Sequence, residues 1–312
     1  MRSLLLICIA SCGVSAAFAQ ELNPRAYVIV PLSTTAISVG YSHLDGDLQF
    51  DGAVPITGAT EKINVMALGL YHAFDLLGRS ANVAVGLPYA IGNVSGTVAD
   101  VPKNAHRSGL LDAFVRLSVN LIGGPAMSRD EFSKWQQTTL LGVSLKIVAP
   151  TGQYDSTRLI NWGSNRWAFK PEIGFSQRWG HWILDAYGAV WFFTENPEFF
   201  SNNMYFAGVR SQRESPVTAF EGHLSYDIRP RFWISLDANY WSGGETTIGG
   251  LTNPVTYQRS SRVGATASIP LTAHQSIKVS FNDGAYIRYG GDYRAISVVW
   301  QYGWIGPPKF RE

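Results

Sequence analysis

His223-Leu224-Ser225 sets an imidazole and a hydroxyl two residues apart. On an extended chain that spacing puts both on one face, as a histidine base needs to activate a serine nucleophile. A hydrolase acting on bilayer lipid would need that face turned toward lipid. Glu221 and Asp227 share the same parity, so a polar hydrogen-bonded pair on a charged face is the competing reading. The other histidines, His43, His72, His106, His181 and His274, are scattered, and no pair has zinc-ligand spacing. Asp45, Asp47 and Asp51 form a small acidic cluster, either a Ca²⁺ site or a solvated loop. Gly40, Gly69, Gly86 and Gly264 lie inside extended segments, and no glycine cluster opens a helix. They read as bends or close-packing points rather than phosphate loops. Neither a catalytic residue, a metal nor a cofactor is expected.

The elements that hold these residues have a period of two. In 295–304, Ile296, Val298, Trp300, Tyr302 and Trp304 fall on one parity, and Ala295, Ser297, Val299, Gln301 and Gly303 on the other. The same alternation runs through 112–121, 141–149, 218–228, 232–240, 262–271 and 277–282, and more weakly through 63–74, 82–91 and 182–193. Ile37, Val39 and Tyr41 mark a first strand. About twelve strands result, an even number. Their connections alternate between short ones, such as 76–79, 180–181, 229–231 and 272–275, and long ones near 45–60, 154–165, 194–215 and 242–258. The stretch 123–137 is a longer connection on the short side, and Ser128-Arg129-Asp130-Glu131 reads as a capped helical turn. The segment 23–31 precedes the first strand and is placed to plug or line the barrel mouth on the short-turn side.

The N-terminus reads as a secretory signal over residues 1–19. Arg2 supplies the positive region, 4–10 the short apolar run, and Ala17-Phe18-Ala19 the cleavage site. A lipobox-like Ile9-Ala10-Ser11-Cys12 is the alternative processing signal. Both cysteines, Cys8 and Cys12, fall in this leader, so a thiolate nucleophile or a disulfide framework is not expected in residues 20–312. The net charge of +2 gives no reason to expect nucleic acid. No later apolar run approaches the ~18–20 residues of a spanning helix. A membrane-embedded chain of this kind must therefore be a closed β-barrel, in which every backbone group is paired.

Charge decides which face meets lipid. Asp112, Arg116, Lys146, Lys170, Glu172, Arg178, Asp185, Glu221, His223, Asp227, Asp237, Arg262 and Lys278 all lie inside proposed strands. A cation on the lipid face at mid-membrane costs ~2–4 kcal/mol. In the well-patterned strands these residues oppose the apolar face, which puts them in a lumen. A soluble β-sandwich would place the same charges outside. Trp179, Trp182, Trp233, Tyr240, Trp241, Trp300, Tyr302 and Trp304 concentrate at strand ends and read as interfacial girdles. Phe199, Phe200, Tyr205 and Phe206 lie in a long loop that could fold into the pore or catch an apolar ligand.

The stretch 146–174 resembles the family of proteobacterial outer-membrane proteins described as the "putative MetA-pathway of phenol degradation". The matching residues are Ala149-Pro150-Thr151-Gly152-Gln153-Tyr154, Asn161, Gly163, Asn165-Arg166-Trp167, Phe169, Pro171-Glu172 and Gly174. Residues 222–227 and Trp300-Gln301-Tyr302 are also similar, and the likeness extends over about 82–304. The chain continues past Trp304, where such barrels commonly stop. The resemblance implies an outer-membrane barrel that passes hydrophobic or aromatic compounds, without an established catalytic residue.

The expectation is therefore an all-β, transmembrane antiparallel barrel of about twelve strands, forming one domain over 20–312. Its place is the outer membrane of a Gram-negative bacterium, where it contacts lipid, a small-molecule solute and the barrel-assembly machinery. Its function is passive passage of small, hydrophobic or aromatic solutes. Arg116, Lys146, Lys170, Glu172, Glu221, His223, Asp237, Arg262 and Lys278 would line the lumen and set selectivity. The alternatives are an outer-membrane hydrolase using His223 and Ser225, and a structural or adhesive barrel with a blocked lumen.

Overall fold

The structure, a computed structural model, describes residues 22–49, 56–98, 100–158, 160–201 and 208–306. The leader, Asp51, Tyr205, Phe206 and the tail beyond Gly306 lie outside the described residues. The strands are β1 (Thr34–Leu48), β2 (Ile56–Leu76), β3 (Arg79–Val98), β4 (Val101–Leu110), β5 (Phe114–Ile122), β6 (Thr139–Val148), β7 (Ala168–Trp179) and β8 (Trp182–Phe193). They continue with β9 (Asn196–Ser201), β10 (Gly208–Glu214), β11 (Val217–Arg229), β12 (Phe232–Gly243), β13 (Thr246–Ile248), β14 (Leu251–Asn253), β15 (Gln258–Pro270), β16 (Gln275–Tyr286) and β17 (Gly291–Ile305). One helical turn, α1 (Arg129–Phe132), joins β5 to β6.

Twelve of these strands close an antiparallel barrel in the order β1-β2-β3-β5-β6-β7-β8-β11-β12-β15-β16-β17. The last strand returns to the first, with Ile37 opposite Tyr302 and Tyr41 opposite Val298. Closure leaves no open edge, which a bilayer requires. The period-two pattern resolves as lipid outside and charge inside. Leu236 is 68% exposed on the outer face, whereas Arg262 on the inner face is fully buried. A closed barrel with an apolar outer face and a charged interior is the inverse of a soluble sandwich, so that alternative is excluded.

Several expected elements differ in detail. The strand expected over 112–121 begins only at Phe114, because 111–113 form a break between β4 and β5. These two strands share β3 as partner, β4 pairing with its outer half and β5 with its inner half. Two stretches expected as open loops, 194–215 and 242–258, contribute β9, β10, β13 and β14 to a separate four-stranded sheet. Their backbone groups pair with one another instead of with water, which explains strands without a lipid-facing period.

The short connections match their residues. Leu77 and Gly78 both have positive φ, at 54° and 79°, the geometry of a two-residue hairpin whose twist fits the flanking strands. The helical turn is capped as its residues suggest. Ser128 Oγ accepts from Glu131 N at 3.4 Å, and Glu131 Oε2 accepts from Ser128 N at 2.8 Å and from Ser128 Oγ at 2.7 Å. The Ser128 hydroxyl, and then its amide, hold the Glu131 carboxyl below its usual range. A lowered folded-state pKa means that this stabilisation is present above the ordinary glutamate value and is lost as pH falls through the lowered one. Ser128→Ala removes the larger of the two causes. The Glu131 midpoint, followed by carboxyl NMR, is expected to move up toward its ordinary value; an unmoved midpoint would count against the capping account.

Candidate functional site

The inward faces of β5 to β12 build a charged layer. On β7, Lys170 Nζ sits 2.9 Å from Glu172 Oε2 and 3.0 Å from Glu221 Oε1 on β11. Arg116 Nη2 on β5 meets Glu172 Oε1 at 3.1 Å. His223 Nδ1 lies 2.9 Å from Asp237 Oδ1 on β12, and Thr266 on β15 donates to Asp237 Oδ2 at 2.7 Å. Lys170, Glu172, Glu221, His223 and Asp237 are all buried, so each charge needs the partners it has. Strand register explains the meeting: His223 is opposite Asp237 on one side and Asp185 on the other.

The remaining expected lining residues are spread around the same inner wall. Lys146, from β6, lies over the rings of Phe114 at 4.2 Å and Trp191 at 5.8 Å. Arg262, from β15, donates to Asn282 Oδ1 at 2.8 Å and to the Tyr293 carbonyl at 2.5 Å. Lys278 is buried on β16. Arg262 and Lys278 therefore belong to a second part of the wall, apart from the Lys170 cluster.

Residues before β1 enter this lumen. Arg25 Nη1 binds Asp227 Oδ1 at 2.7 Å, and Arg25 N donates to Asp185 Oδ2 at 3.2 Å. Ala26 N donates to the Tyr187 hydroxyl at 3.0 Å. The Tyr27 hydroxyl donates to Glu172 Oε1 at 2.9 Å and lies 3.1 Å from Ser144 Oγ. Gly142 and Gly174, opposite each other on β6 and β7, form the floor for the Tyr27 ring. A Cβ at either position would collide with it. Where this segment meets Arg116, Lys146, Lys170 and Glu221, the remaining void is about 10 Å³, room for a single water at most. The segment expected at the barrel mouth thus sits across the polar layer itself.

Above that layer the lumen is lined by an aromatic cluster, with the Arg166–Glu214 ion pair beside it and the Arg166 guanidinium 4.4 Å over the Phe193 ring. Trp191 and Trp241 are fully buried with Val148, Val217 and Ala219, and Phe114 and Phe193 pack against them. Trp233, also buried, receives Arg25 at 4.5 Å from its ring. Trp233 and Trp241 are therefore not girdle residues, as their strand-end positions suggest. Both share the odd parity of Asp237, which faces inward. Trp179 and Trp182 are exposed on the outer face, and Trp300, Tyr302 and Trp304 form a ring ladder with centroids 6.3 and 5.8 Å apart. Sequence reasoning did not bring Tyr27, Ser144, Tyr187 or Trp191 to the site. The signal available for Tyr187 and Trp191 was the parity of Asp185, which both share.

The His223–Ser225 pair faces inward and is buried. His223 Nε2 points toward Glu221 Oε2 at 3.5 Å, and Ser225 Oγ has no hydrogen-bond partner among the described residues. The bond that would activate the hydroxyl is absent from this arrangement. Asp45 of the expected acidic cluster pairs with Lys62 at 3.3 Å, and among the described residues no group of three or more potential ligands converges.

Asp112, in the β4–β5 break, anchors the motif stretch that follows β6. Its Oδ1 accepts from Gly152 N at 2.8 Å, and its Oδ2 from Ser164 N at 2.9 Å and Ser164 Oγ at 2.5 Å. Gly152 and Gly163 touch backbone to backbone there, leaving no room for a Cβ. These contacts give physical content to the pattern in 149–174, and comparison with protein families matches it. Residues 32–298 fit the family described as "Putative MetA-pathway of phenol degradation". The chain belongs to this family. Among solved structures, the phenol-degradation family chain resembles the COG4313 outer membrane channel from Pseudomonas putida F1. The two share 18% identity with a TM-score of 0.73, over 91% of this chain and 100% of that one. It is also similar in fold to the transport unit of the autotransporter AIDA-I from Escherichia coli, at 13% identity and a TM-score of 0.52, over 91% and 93% of the two chains. Curated proteins give no match.

Proposed function

We propose that this family member is a channel in the outer membrane of a Gram-negative bacterium, for passive passage of small hydrophobic or aromatic solutes. The observation that supports it best is the layering of the lumen. An inward aromatic layer, centred on Trp191 and Trp241, lies on the outer side of a charged layer. The charged layer is crossed by a segment held only by non-covalent contacts. Aromatic walls offer dispersion and stacking to an apolar solute without binding it in one geometry. Arg116, Lys146, Lys170, Glu172, Glu221, His223, Asp237, Arg262 and Lys278 would then filter by charge once the segment moves. Assembly into lipid by the cellular barrel machinery belongs to the same reading.

The test uses a neutral aromatic fluorophore that an intact outer membrane excludes. Expression of the full chain in a porin-deficient host is expected to speed its arrival at the inner membrane several-fold. Equal rates with and without the protein would overturn the channel reading and leave the blocked structural barrel. The hydrolase reading is separated by Ser225→Ala. Any lipase or esterase activity of the purified barrel that vanished in this variant would restore it.

A further inference from the structure

A second cavity lies at the outer end of the barrel, away from the charged layer. It has a volume of about 330 Å³, within the ~300–1,000 Å³ of small-molecule sites. Its walls are the extended ends of β2, β3 and β4, with the loop after β6 facing them. Val94 and Val98 continue the even parity by which Ala84 and Ala90 of β3 face inward, so this wall looks into the mouth rather than into lipid. Ile56, Val94, Val98 and Ile160 make it apolar.

Cations ring this apolar surface. Lys103 and Arg107 project from β4 on the parity of the cavity, and Arg158 comes from the loop. The residues paired with Lys103 and Arg107 across the ladder are Gly96 and Gly92, so neither cation meets a side chain from its ladder partner, and Ile56 and Ile63 of β2 close over the two glycines instead. Asp155 pairs with Arg158 at 2.9 Å, and the more distant charge of Arg107 also acts on its carboxylate. Arg107 donates from Nη1 to the neighbouring His106 carbonyl at 2.9 Å, while its Nε is buried without a hydrogen-bond partner among the described residues. Lys103 and Arg107 line the cavity, where an anion would accept charge-assisted hydrogen bonds from their accessible N–H groups.

We propose that this cavity is a capture site for amphiphilic organic carboxylates. The carboxylate would accept from Arg107 and Lys103, and the apolar body would lie on Val94, Val98, Ile56 and Ile160. The inference deepens the channel reading and rests on it, because it names the solute class met first at the outer mouth. Charge sets which apolar solutes are held, and the aromatic layer below receives them.

Binding is measured on the full chain in lipid nanodiscs with three probes: octanoate, octan-1-ol and acetate. Octanoate is expected to bind at least tenfold more tightly than either other probe, and less tightly as salt rises. Lys103→Gln with Arg107→Gln is expected to remove that tenfold advantage over octanol. Ala105→Trp, which fills the cavity from β4 and keeps both cations, is expected to lose octanoate binding. Heat-modifiable gel mobility checks that each variant is folded. Equal binding of octanoate and octanol, equal binding of octanoate and acetate, or undiminished octanoate binding in either variant would overturn the proposal. The readout is equilibrium binding, so it stands apart from transport. A charge-blind cavity beside normal fluorophore uptake would sink this inference alone, and selective binding without uptake would sink the channel reading alone.

Discussion

Replacing Arg25 and Tyr27 together with Ala is expected to raise single-channel conductance in planar bilayers several-fold. The segment before β1 reaches the charged layer through these two side chains more than through any other pair. Arg25 supplies the 2.7 Å contact to Asp227 and a guanidinium 4.5 Å from the Trp233 ring. Tyr27 supplies the 2.9 Å hydrogen bond to Glu172 and the packing on Gly142 and Gly174. Hydrogen bonds to charged groups are worth about 1.5–3 kcal/mol each. Losing two of them shifts the docked-to-undocked balance by roughly two to four orders of magnitude. The backbone contacts of Ala26 and the tether to β1 remain, so the barrel itself should keep its heat-modifiable mobility. Gly174→Val reaches the same end from the wall. Its side chain would occupy the volume of the Tyr27 ring without altering a charge, and conductance should again rise. Unchanged conductance in both variants would mean that the segment is not what limits ion flow.

The barrel was legible in the sequence because a bilayer asks the same thing of every strand. Ile296, Val298 and Trp300 had to share one face and Val299 and Gln301 the other, and the charges on other strands had to follow the inner parity. The closing pair of β17 with β1 followed from those faces. What escaped has specific physical causes. Tryptophan suits a lipid interface and a lumen equally well, so Trp233 and Trp241 were placed by their strand-end positions. Only the parity of Asp237 could have corrected them. Asp112 has the alternation of a strand residue but caps a break, because its carboxylate is taken by Gly152 and Ser164, 40 and 52 residues further along the chain. The outer sheet joins β9–β10 to β13–β14 by backbone pairing, which leaves no apolar period to read. The lumen segment has no period either. Its contacts with Asp185, Tyr187 and Asp227 exist only once the barrel has closed, so its final depth was not a property of its own residues. The cavity beside Lys103 and Arg107 is of the same kind, since it needs β3, β4 and a later loop together.

Lys170→Met should cost about 3–5 kcal/mol of stability, the usual penalty for removing one partner from a buried ionic cluster. Lys170 stands between Glu172 and Glu221, within 3.0 Å of each. Arg116 would still neutralise Glu172 at 3.1 Å. Among the described residues, Glu221 would keep the approach of His223 Nε2 at 3.5 Å and the Asn23 amide at 3.3 Å. Methionine preserves most of the volume, so the loss measures charge rather than a cavity. Reversible denaturant unfolding in micelles reads the difference, and the double variant Lys170→Met with Glu221→Gln separates the causes, because it leaves Arg116 paired with Glu172. A neutral amide needs no counter-charge, so the double variant should recover much of what the single one loses. If the double variant were the less stable of the two, the Lys170–Glu221 pair would be contributing net attraction beyond the cost of dehydrating its charges. A single variant as stable as the parent would mean that water already reaches Glu221, and the charged layer would then be wet rather than sealed.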